Sequence, residues 1–261
     1  MRKFIFAVIT IFALTLLINA CKNSSTNPPV EVNKEYFPNG DGTTYTYSVE
    51  KTDSTGTQTA GTRNTEYNGT SVLSGTTYQV QIDSMNISGV GTVSFSYFRK
   101  NNNGVFYFLD TTGLSAYIPD TLRPYISIDT EMRELLFPLI VNSTWPVFKM
   151  SLHYAIFTIT IIDVSAAYNG TENITLHLTS GDVNKSAVKV KYTLSLQIPD
   201  PNNLLSTISS SYNAYAWFVD GIGPVKWQGS GAILNAFSGS GVDLADTTTV
   251  VTQNLIAYSV K

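Results

Sequence analysis

Cys21 is the only thiol in the chain, and its setting is the strongest chemical signal in the sequence. A cysteine sulfur can be acylated, pair as a disulfide or ligate a metal. Pairing within the chain is impossible without a second cysteine. Met1-Arg2-Lys3 is cationic, Phe4 to Ile18 is apolar, and Ile18-Asn19-Ala20-Cys21 has the small residues of a cleavage box. That layout is a secretory leader. It presents the Cys21 thiol at the cut site, where covalent attachment of lipid is the chemistry that fits. Two plainer readings stay open: a cleaved leader that leaves Cys21 free, and an uncleaved anchor. An anchor needs about 20 apolar residues to cross the hydrocarbon, and this run is shorter. A single unpaired cysteine is unusual in an exported protein.

Other candidate chemistry is weaker. Gly221-Ile222-Gly223 lacks the third glycine and the following helix N-terminus that a phosphate loop needs. It reads as a turn or bulge, where glycine supplies positive φ. Asn39-Gly40-Asp41-Gly42 offers oxygens, but calcium needs roughly six to eight and a closing bidentate Glu. His153 and His177, with Asp163 or Asp182, could approach a metal, yet no i,i+2 or i,i+4 histidine pair exists. Serines are plentiful without a G-x-S-x-G elbow, so a hydrolase is the weakest reading. The expectation is a protein that is not an enzyme and uses no metal or cofactor. The chain holds 15 Tyr and 13 Phe, more than loops require, so most belong to a core. A subset on strands could line an apolar ligand surface: Phe95, Phe106, Phe108, Phe157, Ile159, Ile161 and Trp217.

The elements that must position these residues are strands. Only 13% of residues are charged and the net charge is −3, becoming −5 without the two basic residues of the leader. No basic cluster exists to hold nucleic acid or a charged membrane surface. Residues 1–20 are the leader, 21–35 a tether containing Asn27-Pro28-Pro29, and 36–261 a single all-β domain. Period-two alternation marks Thr44–Val49, Thr77–Ile82, Val93–Phe98, Val105–Leu109, Ile174–Leu178 and Ala187–Ile198. Asn101–Gly104 and Asn169-Gly170 read as hairpin turns. Ala155–Ile162 is apolar on both faces, as in a covered central strand. Thr130–Leu136 reads as either one helical turn or an excursion. About twelve strands result. Phe37-Pro38 with Thr44-Tyr45 is echoed 100 residues later by Phe137-Pro138 with Thr144-Trp145, which predicts two similar halves unless it is coincidence.

The leader ending in cysteine resembles a bacterial lipoprotein signal. Tyr36-Phe37-Pro38 with Gly42 and Tyr45-Thr46-Tyr47, Phe137-Pro138-Leu139 with Trp145, and Trp217 to Lys226 with Gly221 and Gly223 are similar to three blocks of uncharacterised bacterial lipoproteins. The sequence departs from them at Tyr45, at Asn142 or Ser143 in place of glycine, and at Pro224. The resemblance implies a LolA-like or LppX-like fold: one large curved antiparallel sheet forming an open half-barrel. A β-sandwich is the alternative that alternation also permits. It further implies acylation of Cys21, palmitate included, and residence in the periplasm of a Gram-negative cell envelope. Lys22 in place of aspartate points there to the outer membrane. Two functions follow as expectations. One is binding of a lipid or other hydrophobic molecule in an apolar concave face. The other is docking on another envelope protein.

Overall fold

The computed structural model describes residues 34–109, 121, 123–154, 157–200, 203–237 and 248–261; Cys21 lies outside them. Alternation of apolar and polar side chains carries the described residues through thirteen strands. These are β1 (Thr44–Thr52), β2 (Gln58–Leu73), β3 (Thr76–Ile87), β4 (Val90–Asn101), β5 (Gly104–Phe108), β6 (Ile126–Ile128), β7 (Glu131–Leu136), β8 (Thr144–Tyr154), β9 (Phe157–Leu178), β10 (Gly181–Asp200), β11 (Asn203–Val219), β12 (Gly223–Ser230) and β13 (Val250–Ser259). One described helix, α1 (Gly231–Phe237), follows β12.

All ladders are antiparallel, in the order β6-β8-β9-β10-β11-β12-β13-β1-β2-β3-β4-β5-β7. The sheet is therefore two six-stranded meanders, β1-β2-β3-β4-β5-β7 and β8 to β13, joined where β13 pairs with β1. The 100-residue echo is real at the level of backbone geometry. Gly42 and Asn142 both take positive φ, 83° and 66°, and Asn is the residue that best replaces glycine there. Thr43 N donates to Gly40 O at 3.0 Å, and Ser143 N to Ile140 O at 2.8 Å. The Thr43 and Ser143 carbonyls then accept from Tyr67 N and Tyr168 N, each at 2.9 Å.

The halves differ at the second junction. β7 and β8 form no ladder, and β6 pairs with the far end of β8 instead. Since β6 and β7 are separated only by Asp129-Thr130, one stretch of chain joins the sheet's two ends and curls it without closing a barrel. Side chains satisfy the free carbonyls of β7: Trp145 Nε1 donates to Arg133 O at 3.1 Å, and Tyr192 OH to Glu134 O at 2.9 Å.

Two sequence expectations change. Thr130–Leu136 makes no helical turn; Glu131–Leu136 is a strand because its residues pair with β5, and six residues are too few for a stable helix. Asn169-Gly170 is no hairpin turn. It is a bulge inside the 22-residue β9, with Gly170 at φ 90°. Ala155–Ile162, expected as a central strand, is strand from Phe157 onward and lies between β8 and β10.

The core lies on the inner face. Phe37, Tyr45, Tyr47, Tyr67, Phe98 and Tyr107 pack from the first half, and Tyr192, Phe218, Trp227 and Phe237 from the second. Ring centres stand 5.1 Å apart for Phe98 and Tyr107, and 4.9 Å for Tyr192 and Phe237. Helix α1 inserts Ala232, Ile233, Leu234 and Phe237, all at most 5% exposed.

Candidate functional site

Three places could carry function: the interior, the outer face of β3–β5, and a crevice over β12. The interior contains a polar cluster. Arg63 Nε donates to Asp83 Oδ1 at 2.7 Å and Arg63 Nη1 to Gln253 Oε1 at 2.9 Å. Asp83 also accepts from Thr65 and from Gln81, each at 2.6 Å. Burial alone would lower the Arg63 pKa, but Asp83 outweighs it and holds the guanidinium charged. Glu134 is buried opposite, and its Oε2 has no hydrogen-bond partner. It points inward because β7 bulges: Val105 faces Leu135 and Phe106 faces Arg133, leaving Glu134 as the extra residue. Burial pushes its carboxyl up to about 8, with Arg63 opposing. The acid is therefore neutral at pH 7 and could hold a proton. Two interior cavities lined by described residues each leave about 20 Å³ for the centre of a water molecule, room for roughly one water and no substrate.

The outer face of β3–β5 gathers three of the residues singled out from sequence. Register places Val80 beside Tyr97, Ile82 beside Phe95 and Ser84 beside Val93. Val93 and Phe95 are 64% and 56% exposed. Phe106 is covered, with Arg99 at 4.1 Å and Arg133 at 5.2 Å from its ring centre. Phe108 is half-buried against Tyr78 and Tyr97, at 5.5 and 6.5 Å. Arg99 and the Tyr78 hydroxyl both donate to Glu131, and the Arg99 hydrogen bonds hold that carboxyl below its ordinary range.

Trp217 lies elsewhere, on the outer side of β11 and only 3% exposed. Consecutive residues of β11 alternate, so Trp217 and Phe218 face opposite sides; the register break beside them makes Val225 of β12 the extra residue. The distal half of the β9–β10 hairpin passes over Trp217, and Glu172 accepts from Trp217 Nε1. A crevice of about 500 Å³ lies beyond it, lined by Ile174 to His177 above and Val225, Lys226, Asn254, Leu255, Ile256 and Ser48 below.

Ile159 and Ile161 are half-buried on β9, Ile161 as the extra residue of a bulge. The Phe157 side chain lies outside the described set. The six described positions among the seven chosen thus do not converge on one concave site. Gly221-Ile222-Gly223 is a turn, Ile222 N donating to Val219 O at 3.0 Å. Gly223 has φ 100°, and a Cβ there would meet Tyr45 OH at 2.8 Å and Pro38 Cδ at 2.9 Å. The Tyr45 hydroxyl sits 2.9 Å from Pro38 O and 2.8 Å from Ile222 O, and Tyr47 OH donates to Pro224 O at 2.8 Å. The first and last conspicuous sequence blocks are therefore packing partners.

Asp41 accepts from Gly69 N at 2.5 Å, as in a loop clasp. His177 Nδ1 lies 2.9 Å from Asp182 on the exposed hairpin. His153 lies 2.9 Å from Ser127 Oγ and 3.1 Å from Thr158 Oγ1. That arrangement has a hydroxyl where a triad needs a carboxylate to stabilise the imidazolium. Among the described residues, no three of His, Cys, Asp and Glu group to hold a metal.

No family model matches the chain, and no curated protein does. Two crystal structures are similar to it. One is a candidate lipoprotein from Parabacteroides distasonis, at 13% identity and TM-score 0.44, covering 87% of this chain and 99% of its own. The other is a candidate exported protein with YmcC-like fold from Bacteroides fragilis, at 14% identity and TM-score 0.45, covering 87% and 100%.

Proposed function

We propose that this chain is a lipid-anchored lipoprotein of the Gram-negative envelope whose β domain docks on another envelope protein and catalyses nothing. Cys21 at the leader's cut site supports the anchor, and two or more acyl chains hold a protein stably where one does not. The observation that carries the docking reading is the division of apolar surface in the fold. The inner face is filled by its own rings and by α1, whereas Val93 and Phe95 stand 64% and 56% exposed beside Ile82 and Tyr97. Exposed contiguous apolar surface on a folded protein marks an interaction site. A carrier of lipid would need that surface turned inward around an open cavity.

The test has two arms. Cys21→Ser should abolish acylation, seen as loss of the acyl mass on the mature N-terminus, and release the domain from membranes. Retention of Cys21→Ser at the membrane with unchanged processing would sink the anchor. A photo-crosslinking residue at Phe95 should capture one discrete envelope protein in cells, and the same probe at Thr62 should not. Equal capture at both positions, or capture of no protein at Phe95, would overturn docking through this face.

A further inference from the structure

The crevice over β12 has the features of a built site rather than a surface irregularity. It is spanned by a strap, the β9 segment from Thr171 to Leu178, pinned at both ends. At one end Glu172 accepts from Trp217 Nε1 and, at 3.3 Å, from Lys189 Nζ. At the other, Thr179 N donates to Ile256 O at 2.8 Å. Two separate register breaks deliver their extra residue here. Val225 is the unpaired residue between Pro224 and Lys226 on β12, and Ile256 that between Leu255 and Ala257 on β13. A third break, where Asn169 and Gly170 of β9 oppose the single Lys189 of β10, lies at the start of the strap. Bulges re-aim side chains and concentrate beside functional sites. Val225 and Ile256 line the crevice, and Lys189 stacks on its flanking tryptophan.

Charge then selects the occupant. Lys189 and Lys226 each place an ammonium 4.8 Å from the Trp217 ring centre. Glu172 is the carboxylate that answers them, and it is engaged by Trp217 and Lys189. Burial would raise the Glu172 carboxyl, but these hydrogen bonds outweigh it and keep it ionised. Lys226 also acts electrostatically on Glu172, but two ammoniums share that one carboxylate, so one positive charge is left over at the crevice wall. His177, on the roof, is turned to Asp182. The remaining lining is apolar at Ile174, Leu176, Val225, Leu255 and Ile256, with Ser48, Thr175 and Asn254 as hydrogen-bonding groups. A volume of about 500 Å³ falls in the range of small-ligand pockets, roughly 300–1,000 Å³.

We infer that this strapped crevice binds a small amphipathic carboxylate, its chain against the Ile174–Leu176 roof and its headgroup on Lys226. The site is independent of the β3–β5 docking face, on the opposite half of the sheet. The test is calorimetric titration of octanoate and 1-octanol into the intact lipidated protein in nanodiscs, with empty discs as the blank. Octanoate should bind at one site and more tightly than 1-octanol. Lys226→Met, which keeps the stem, should weaken octanoate about tenfold and leave 1-octanol within about twofold. Ser48→Trp, which fills the floor from β1, should abolish both. A thermal melt of each variant checks folding. Absence of octanoate binding to the natural protein overturns the site. So does octanoate binding unchanged in Lys226→Met, or survival of both ligands in a folded Ser48→Trp.

Discussion

Replacing Glu134 by glutamine should change how stability depends on pH more than any other single substitution. The carboxyl is raised to about 8 from an ordinary 4.5. Between those values the folded state holds a proton that the unfolded state has released, so stability falls as pH rises through the window. It is at its fullest below about 4.5 and levels off above about 8. At roughly 1.36 kcal/mol per pKa unit, the loss by pH 7 is about 3 kcal/mol. Glutamine is neutral at every pH and removes that loss. It leaves an amide group where Oε2 had no partner, at a cost of about 1 kcal/mol. The variant should therefore be more stable than the natural protein by about 2 kcal/mol at pH 7, a rise in Tm of about 4–8 °C. The two should cross near pH 5 and the variant should be the weaker below it. The other groups around the site do not confound the window. Burial holds the Tyr47, Tyr67 and Tyr192 hydroxyls neutral, and Arg63 stays charged throughout. Urea unfolding of both proteins at half-unit steps from pH 4.5 to 8.5 measures this directly. Parallel stability curves, with no crossover, would refute the neutral buried acid.

Two further substitutions test the interior. Gly223→Ala combines positive φ with contacts of 2.8 and 2.9 Å to Tyr45 OH and Pro38 Cδ, so it should cost about 2–4 kcal/mol. Gly56→Ala, also at positive φ but with nothing near its Cβ, should cost only about 1 kcal/mol, and equal urea midpoints for the two would remove the packing role given to Gly223. Asp83→Asn should destabilise by about 3–5 kcal/mol because it leaves the buried Arg63 uncompensated. Asp83→Asn combined with Arg63→Met should recover part of that loss in the same assay, and full additivity would show that the pair is uncoupled.

Much of this fold was legible in the sequence because alternation is a local signal. Tyr45, Tyr47 and Val49 are buried and Thr44, Thr46 and Ser48 are not, as the pattern requires of a strand with one face inward. The 100-residue echo was legible because a Phe-Pro turn feeding a buried aromatic is a geometric unit with few sequence solutions. Asn142 could stand where glycine is usual because both reach positive φ. What escaped was everything set by the register between distant strands. Asn169-Gly170 has hairpin chemistry, yet β10 pairs on both sides of it and turns it into a bulge. Nothing in Met-Arg-Glu-Leu-Leu announces that Glu134 and Leu135 both face inward. That depends on which residue of β5 each one meets.

The same distinction explains why the expected concave ligand face does not gather its candidates. Phe95, Phe106 and Phe108 were chosen as apolar residues on alternating strands, which is a statement about sharing a face. Alternation cannot say which face turns inward, because reversing the curl of the sheet leaves the period untouched. The choice is made by Phe37, by α1 and by the β13–β1 ladder, which lie before or after those strands and fill one side only. Once that side is filled by Phe98 and Tyr107 among others, the alternate residues Phe95, Phe106 and Phe108 are left on the outer side. Trp217 shows the converse. Its neighbours Ala216 and Phe218 are buried in the core, so alternation puts Trp217 on the outside, where the strap of β9 covers it. The residues best placed for recognition are thus those at register breaks, and a site built from Val225, Ile256 and Lys189 becomes visible only once all the ladders are in place.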